Sequence, residues 1–125
     1  KTKVIFCQTI QSYDIVVYGA SSAGISAAIQ GSRLGKKVLL IESGNRIGGL
    51  TTGGLGQTDI GNKHAIGGIS REFYKNIKNY YQKQEKWKWQ KQESYRNGGQ
   101  TISDQKKDAM WTCEHSAALM VFKKW

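Results

Sequence analysis

Apolar and polar positions alternate near the start of the chain in a way that predicts a strand, a helix and a second strand. Residues 15–17 (Ile-Val-Val) form an apolar run typical of a strand buried on both faces, and Gly19 interrupts it where the chain must turn. Residues 23–34 hold good helix formers, with small side chains on the side expected to face a sheet, and Gly35 predicts the helix end. Residues 38–41 (Val-Leu-Leu-Ile) predict the next strand. The pattern indicates an α/β fold with a parallel sheet.

The pattern changes after the second predicted strand. Residues 43–69 contain nine glycines and no long apolar period, so they predict an extended loop. Ser70 then suits the N-cap of a helix reaching to about residue 92. Its expected apolar stripe consists of residues spaced by threes and fours, namely Phe73, Ile77, Tyr80, Gln84 and Trp87.

The last third of the chain predicts a polar loop followed by a helix. Residues 93–107 are polar and contain Asn-Gly-Gly, which favours a loop. Residues 111–124 predict an amphipathic helix capped by Asp108 or Thr112. Its predicted apolar side is Ala117, Ala118, Met120, Val121 and Phe122.

The turn between the first strand and the first helix has the composition of a phosphate-binding turn. A dinucleotide motif requires glycine at the turn, where the phosphate approaches and where helix meets strand, and this chain has Gly19, Ser21 and Gly24 there. The first amides of the helix, those of Ser22, Ala23 and Gly24, would face a pyrophosphate. Glu42 follows Gly24 by eighteen residues and suits a ribose diol.

The motif continues beyond Glu42 to Gly48-Gly49 and then to residues 50–56 (LTTGGLG), 66–74 (IGGISREFY) and 111–114 (WTCE). This longer pattern resembles the bacterial FAD-dependent oxidoreductase family, which has the glutathione-reductase-like FAD-binding fold. The resemblance covers residues 13–122 and implies FAD as the cofactor. It implies that the glycine doublet runs past the pyrophosphate toward the flavin, which an NAD dehydrogenase does not need.

The resemblance implies a Rossmann-like FAD-binding domain and a set of cofactor contacts. The expected cofactor-binding residues are Gly19, Ser21, Ser22, Ala23, Gly24, Glu42, Ser43, Arg46, Gly48, Gly49, Leu50, Thr51 and Thr52. Thr51, Thr52, Gln57 and Thr58 supply neutral hydrogen-bonding groups for a flavin, and Arg46 could offset charge near the pyrophosphate. His64 is either an acid or base near the flavin or a surface histidine without a role.

The domain organisation predicted from these segments is incomplete. Residues 1–12 are expected to be a lead-in, and residues 13–125 the amino-terminal part of an FAD-binding domain with a helical insertion near 70–92 and a polar loop near 93–107. Two strands with their crossover do not form a stable sheet alone, so we expect the remainder of the enzyme to follow. The substrate-facing groups are expected in that remainder. The substrate is expected to be a small molecule, and the sequence specifies neither it nor the electron acceptor.

The charge leaves one alternative of a different class. The net charge is +10, and residues 63–125 carry thirteen Lys or Arg against six acidic residues. Lysines interleave with Trp87 and Trp89, as in binders of single-stranded nucleic acid, but no recognition module accompanies them. A solvated helix face is therefore favoured over a basic module for nucleic acid or another anionic surface. The other alternative is an NAD-binding domain of a dehydrogenase.

Other site classes find little support in the sequence. Cys7 and Cys113 lack zinc-ligand spacing and indicate neither a disulfide nor a metal site, so an inert buried thiol is favoured. No apolar run approaches the ~18 residues of a membrane span. Residues 1–8 could be the remnant of a signal peptide, but their apolar run is too short for the whole apolar region of one. A cytoplasmic location is therefore favoured, and export to the cell envelope is the alternative.

Overall fold

The fold was obtained as a computed structural model, which describes residues 10–57, 61–96 and 106–125. The elements run in the order β1 (Ile15–Tyr18), α1 (Ser22–Arg33), β2 (Val38–Ile41), α2 (Leu50–Gly53), α3 (Gly68–Tyr80) and α4 (His115–Lys124). Two short 3-10 turns, Gln84–Lys86 and Gln92–Ser94, lie between α3 and α4. The predicted lead-in of residues 1–12 and the loop 93–107 lie largely outside the described residues.

The predicted β-α-β unit is confirmed. Strands β1 and β2 are parallel, with Ile15 opposite Val38 and Tyr18 opposite Ile41, and α1 connects them. The Asp14 carboxylate accepts a hydrogen bond of 2.7 Å from the Lys37 amide and fixes the register at the start of both strands. The fold is therefore α/β, with helices around a small parallel sheet.

Helix α1 lies close to the sheet because its facing positions are small. A Cβ on Gly31 would lie 3.0 Å from Cδ1 of Ile15 and 3.1 Å from Cγ2 of Val38. The predicted burial of β1 is wrong on both faces, because Ile15, which faces α1, is still 37% exposed and Val17 is half-buried. Within the described residues no element covers the other face, where Val16 is 57% exposed and Tyr18 77% exposed.

The main core lies between α3 and α4. Phe73 and Ile77 of α3 pack with Val121 and Phe122 of α4, and the rings of Phe73 and Phe122 stack at 4.8 Å. The apolar side predicted for α4 is confirmed except for Met120, which is 55% exposed.

Helix α3 is shorter than predicted, and both of its ends differ from the expectation. It begins at Gly68 with Gly67 as its N-cap, so Ser70 lies inside the helix rather than at its cap. It ends at Tyr80, and the buried aromatic residue there is Tyr81 rather than Tyr80. The indole N–H of Trp87 donates to the Tyr81 carbonyl at 2.8 Å, so the chain beyond the helix folds back onto its end.

Residues 109–114 form no helix, although a helix was predicted from Trp111, and Ala109, Met110 and Trp111 are buried. The Met110 amide donates to the Tyr74 carbonyl at 3.1 Å, and Trp111 packs on the ring of Tyr74. These contacts with α3 hold the segment outside a helix until α4 begins at His115. Glu114 occupies the N-cap position without a side-chain cap, so both predicted caps are wrong.

The two predicted caps are used in tertiary contacts instead. The Thr112 hydroxyl forms a hydrogen bond with the Tyr95 hydroxyl at 2.6 Å. The Asp108 carboxylate pairs with the buried guanidinium of Arg71 and, at 2.9 Å, with Lys75. Arg71 also donates to the Lys63 carbonyl at 3.0 Å, so one buried cation joins α3 to two loops.

We expect Asp108→Asn to destabilise the fold by about 1–3 kcal/mol, because it removes the anionic partner of a buried guanidinium. Arg71, followed by Lys75, holds the pKa of Asp108 well below its usual range. A depressed pKa stabilises the folded state above the unfolded pKa of about 4, and this contribution is lost as the pH falls further. The free energy of unfolding, measured with urea between pH 7 and pH 3, should therefore fall less steeply with decreasing pH in the variant than in the wild type.

The matched control is Glu72→Gln, which breaks the exposed pair between Glu72 and Arg33. Those two side chains are 40% and 41% exposed, and exposed pairs contribute at most about 1 kcal/mol. Equal destabilisation by both variants would contradict the structural role given to Asp108.

Candidate cofactor-binding site

The turn between β1 and α1 is shaped by two glycines with different tasks. Gly19 has a φ of +100°, which side chains disfavour, and its amide donates to the Ile41 carbonyl at 2.7 Å. A Cβ on Gly24 would lie only 2.0 Å from the Gly19 carbonyl oxygen. The structure thus shows why the sequence has glycine at both positions: the backbone turns sharply, and α1 starts directly against it.

Ser21 acts as the N-cap of α1. Its hydroxyl accepts a hydrogen bond from the Gly24 amide at 3.3 Å, so that amide is engaged within the protein. The amides of Ser22 and Ala23 belong to the first helical turn, whose N–H groups have no intrahelical acceptor. They lie at the positive end of the helix dipole, which favours a negative charge nearby.

The glycine doublet lies against this helix end. The Gly48 amide donates to the Ala20 carbonyl at 2.6 Å, and the Ser22 hydroxyl donates to the Gly48 carbonyl at 3.2 Å. The Ser22 hydroxyl also pairs with the Thr51 hydroxyl at 2.7 Å. A Cβ on Gly49 would lie 3.6 Å from Ser21, so the doublet passes over the start of α1. The structure therefore brings together two segments that are 26 residues apart.

Part of the predicted flavin path shapes the loop. The Thr52 side chain is fully buried, and its hydroxyl donates to the Ile47 carbonyl. The Arg46 guanidinium donates to the Thr52 carbonyl at 2.6 Å. A Cβ on Gly48 would lie 2.3 Å from Thr52, which explains why a glycine follows Ile47. Residues 43–69 therefore include a packed helix, α2, and are not one extended loop as predicted.

Gly49, Leu50 and Thr51 follow one another on the accessible side of this segment. The Leu50 side chain is 79% exposed, and Thr51 is half-buried with its hydroxyl on Ser22. They lie beside the start of α1, where the predicted flavin path begins.

Glu42 lies at the carboxyl end of β2 and closes the turn. Its carboxylate accepts from the Ala20 amide at 2.7 Å and from the Gly44 amide at 2.9 Å. The Ser43 hydroxyl lies 3.4 Å from the same carboxylate. The bond from the Gly44 amide and then that from the Ala20 amide hold the pKa of Glu42 below its usual range. Glu42 is therefore ionised at neutral pH, with further lone pairs able to accept a ribose hydroxyl.

The sequence motif did not identify the role of Ala20. Its carbonyl receives the Gly48 amide and its amide donates to Glu42, so this buried residue joins the turn to both later segments. The sequence signal for this role was the position of Ala20 between the turn glycine, Gly19, and the helix cap, Ser21.

The other candidate groups are less connected. His64 is exposed, and its amide donates to the Asn62 side chain at 3.0 Å. Burial raises the pKa of the Cys113 thiol to about 11, so it stays protonated at neutral pH, in agreement with the inert interpretation. Cys7 and Thr58 lie outside the described residues. The described part of the chain has no group of three His, Cys, Asp or Glu side chains arranged to hold a metal ion.

A comparison with protein families decides the cofactor. A family model described as FAD dependent oxidoreductase matches residues 14–125. The chain belongs to this family. Searches of curated proteins and of solved structures found no significant match. Among the described residues of this family member, no helix is both long and apolar enough to span a membrane.

The residues present fit FAD on their own geometry. The closeness of Gly24 to Gly19 leaves the start of α1 open to a phosphate, and the Gly48-Gly49 backbone carries no side chain that would cover it. An ionised Glu42 stands beside the same turn. The structure thus offers amides for a pyrophosphate and an acceptor for a ribose.

We expect Gly24→Ala to lower the flavin content of the purified protein by about tenfold or more. The new Cβ would overlap the Gly19 carbonyl and displace α1 from the turn, at a cost of about 1–3 kcal/mol. The ratio of flavin absorbance to protein absorbance measures the effect.

Gly61→Ala is the control, because no atom lies within 4 Å of its added Cβ. Full flavin content in a folded Gly24→Ala protein would show that the close approach is not needed for binding.

Proposed function

We propose that the start of α1 and the glycine doublet form the pyrophosphate site of FAD. The observation that supports this is the convergence of three separate segments: the first turn of α1, Gly48-Gly49 and Glu42. The Ser22 and Ala23 amides would donate to phosphate oxygens, with the Ser21 cap holding the first turn in place. No cation is required for this binding.

Glu42 would bind the adenosine ribose with lone pairs that its present bonds leave free. The carboxylate is held by two backbone amides, so its position is fixed before a cofactor arrives. Because it is ionised, it accepts hydroxyl protons and repels a 2′-phosphate, which favours a cofactor with a free ribose diol.

The segment after the doublet would lead toward the flavin. The accessible residues of this path are Gly49, Leu50 and Thr51. The buried Thr52 holds the path in place through the hydrogen bond from its hydroxyl to the Ile47 carbonyl. Arg46 would contribute positive charge near the pyrophosphate while one of its nitrogens holds the Thr52 carbonyl. The flavin supplies hydride or electron transfer, and the protein supplies binding and orientation.

As an oxidoreductase, the protein acts on a substrate and an electron acceptor. We propose that both are small molecules. Of the two tryptophans that interleave with the lysines, Trp87 packs against Tyr81 and Tyr95, whereas Trp89 is 85% exposed. The Lys86 ammonium lies over the Tyr80 ring, 5.4 Å from its centroid. Because no nucleic-acid recognition module accompanies these lysines, a solvated basic surface is favoured over a nucleic-acid site.

The test of the ribose role is FAD affinity in Glu42→Ala. Loss of a hydrogen bond to a charged group should weaken binding by about 1.5–3 kcal/mol, or about 10–150-fold. The spectrum and reactivity of the flavin that stays bound should be nearly unchanged, because the carboxylate acts on the adenosine half.

Glu42→Gln and Ser43→Ala complete the design. Glutamine keeps one acceptor oxygen and should lose less affinity than alanine, while Ser43 touches Glu42 only at 3.4 Å and its variant should bind FAD normally. Unchanged affinity in Glu42→Ala would refute the ribose assignment.

A further inference from the structure

A cavity of about 370 Å³ is walled by aromatic rings and bordered by Gly56 and Gln57 of the glycine-rich loop. Tyr81, Trp87 and Tyr95 form a continuous wall, with ring centroids 5.0 Å apart for the first pair and 5.6 Å for the second. Met110 adds to the apolar lining, and the polar lining includes Gln57, Lys86, Lys88 and Glu114. Of these residues, Gln57 was among the groups predicted to face the flavin.

The polar groups of the aromatic wall are already used inside the protein. The Trp87 N–H donates to the Tyr81 carbonyl at 2.8 Å, and the Tyr81 hydroxyl accepts from the Glu114 amide at 3.3 Å. The Tyr95 hydroxyl is bonded to Thr112 at 2.6 Å. Burial raises the pKa of Tyr81 and that of Tyr95, so both phenols stay neutral. The wall therefore offers a ligand the faces and edges of neutral rings, together with the proton of the Tyr81 hydroxyl.

The wall is joined to the loop that follows the glycine doublet. The Cys113 amide donates to the Gly56 carbonyl at 3.1 Å, and a Cβ on Gly56 would lie 3.1 Å from the Cys113 carbonyl oxygen. Backbone therefore packs directly on backbone, and Gly56 lines the cavity itself. The segment proposed to lead toward the flavin ends in one wall of this cavity.

We propose that this cavity binds the substrate of the oxidoreductase, as a neutral aromatic ring carrying a hydrogen-bonding substituent. The inference rests on the proposed function, because the loop with Gly56 continues the flavin path. Aromatic rings pair favourably with the faces and edges of other rings, which are the larger part of this wall. The amide of Gln57 and the carboxylate of Glu114 would bind the substituent, in the manner of pockets with a few placed polar groups.

The test is calorimetric titration of the complete, FAD-loaded protein with 4-methylphenol, a neutral ring with one hydroxyl. We expect saturable binding, and at least tenfold weaker binding in Trp87→Leu, which removes the middle of the wall. Trp87→Phe keeps a ring and should stay within about threefold of the wild type, since the ring face and not the indole N–H contacts the ligand.

Trp125→Leu is the matched control, because Trp125 is also partly buried but stacks on Phe73 and Phe122 away from the cavity. It should bind the phenol like the wild type. Intermolecular NOEs from the ring protons of 4-methylphenol to Trp87 in the wild type test the same site without relying on a variant that must fold.

The possible outcomes separate this inference from the proposed function. If the protein retains FAD but does not bind the phenol, the inference is refuted and the cofactor site stands. If the protein binds the phenol but does not bind added FAD, the cofactor assignment is refuted. Binding of glucose but not of 4-methylphenol would refute the aromatic class. Equal phenol binding in Trp87→Leu would place the ligand elsewhere.

Discussion

The structure depends on the close approach of Gly24 to the Gly19 carbonyl. An added Cβ would lie 2.0 Å from that oxygen, so this contact tolerates no side chain. It fixes where α1 begins relative to β1 and so aims the first helical amides out of the turn. The second small position, Gly31, lets the same helix lie on Ile15 and Val38. The sheet, the helix and the anion-binding turn are therefore consequences of one packing requirement.

The turn is also held together before any cofactor binds. Ala20 accepts from the Gly48 amide and donates to Glu42, and the Ser21 hydroxyl caps the helix. Most of these bonds join backbone to backbone or backbone to side chain across 22–28 residues of sequence. A site whose geometry is already satisfied internally loses little conformational entropy on binding, which favours affinity for FAD.

The β-α-β unit and most of its binding turn were predictable because their signals are local. A glycine at a positive φ, a serine before a helix and an acid after a strand each act within a few residues. The errors arose where distant contacts decide the structure. Asp108 pairs with Arg71 rather than capping a helix, and Trp111 stays extended because Tyr74 binds its segment. The burial of Thr52 likewise depends on α4, whose Phe122 packs beside Gly48.

The most direct test of this account is a crystal structure of the complete protein with FAD bound. The account predicts that the Ser22 and Ala23 amide nitrogens lie about 2.7–3.2 Å from pyrophosphate oxygens, with Gly48-Gly49 passing over the same phosphates. It also predicts that the Ala20 and Gly48 hydrogen bond persists. A pyrophosphate bound away from the first turn of α1, with that turn unchanged, would contradict it.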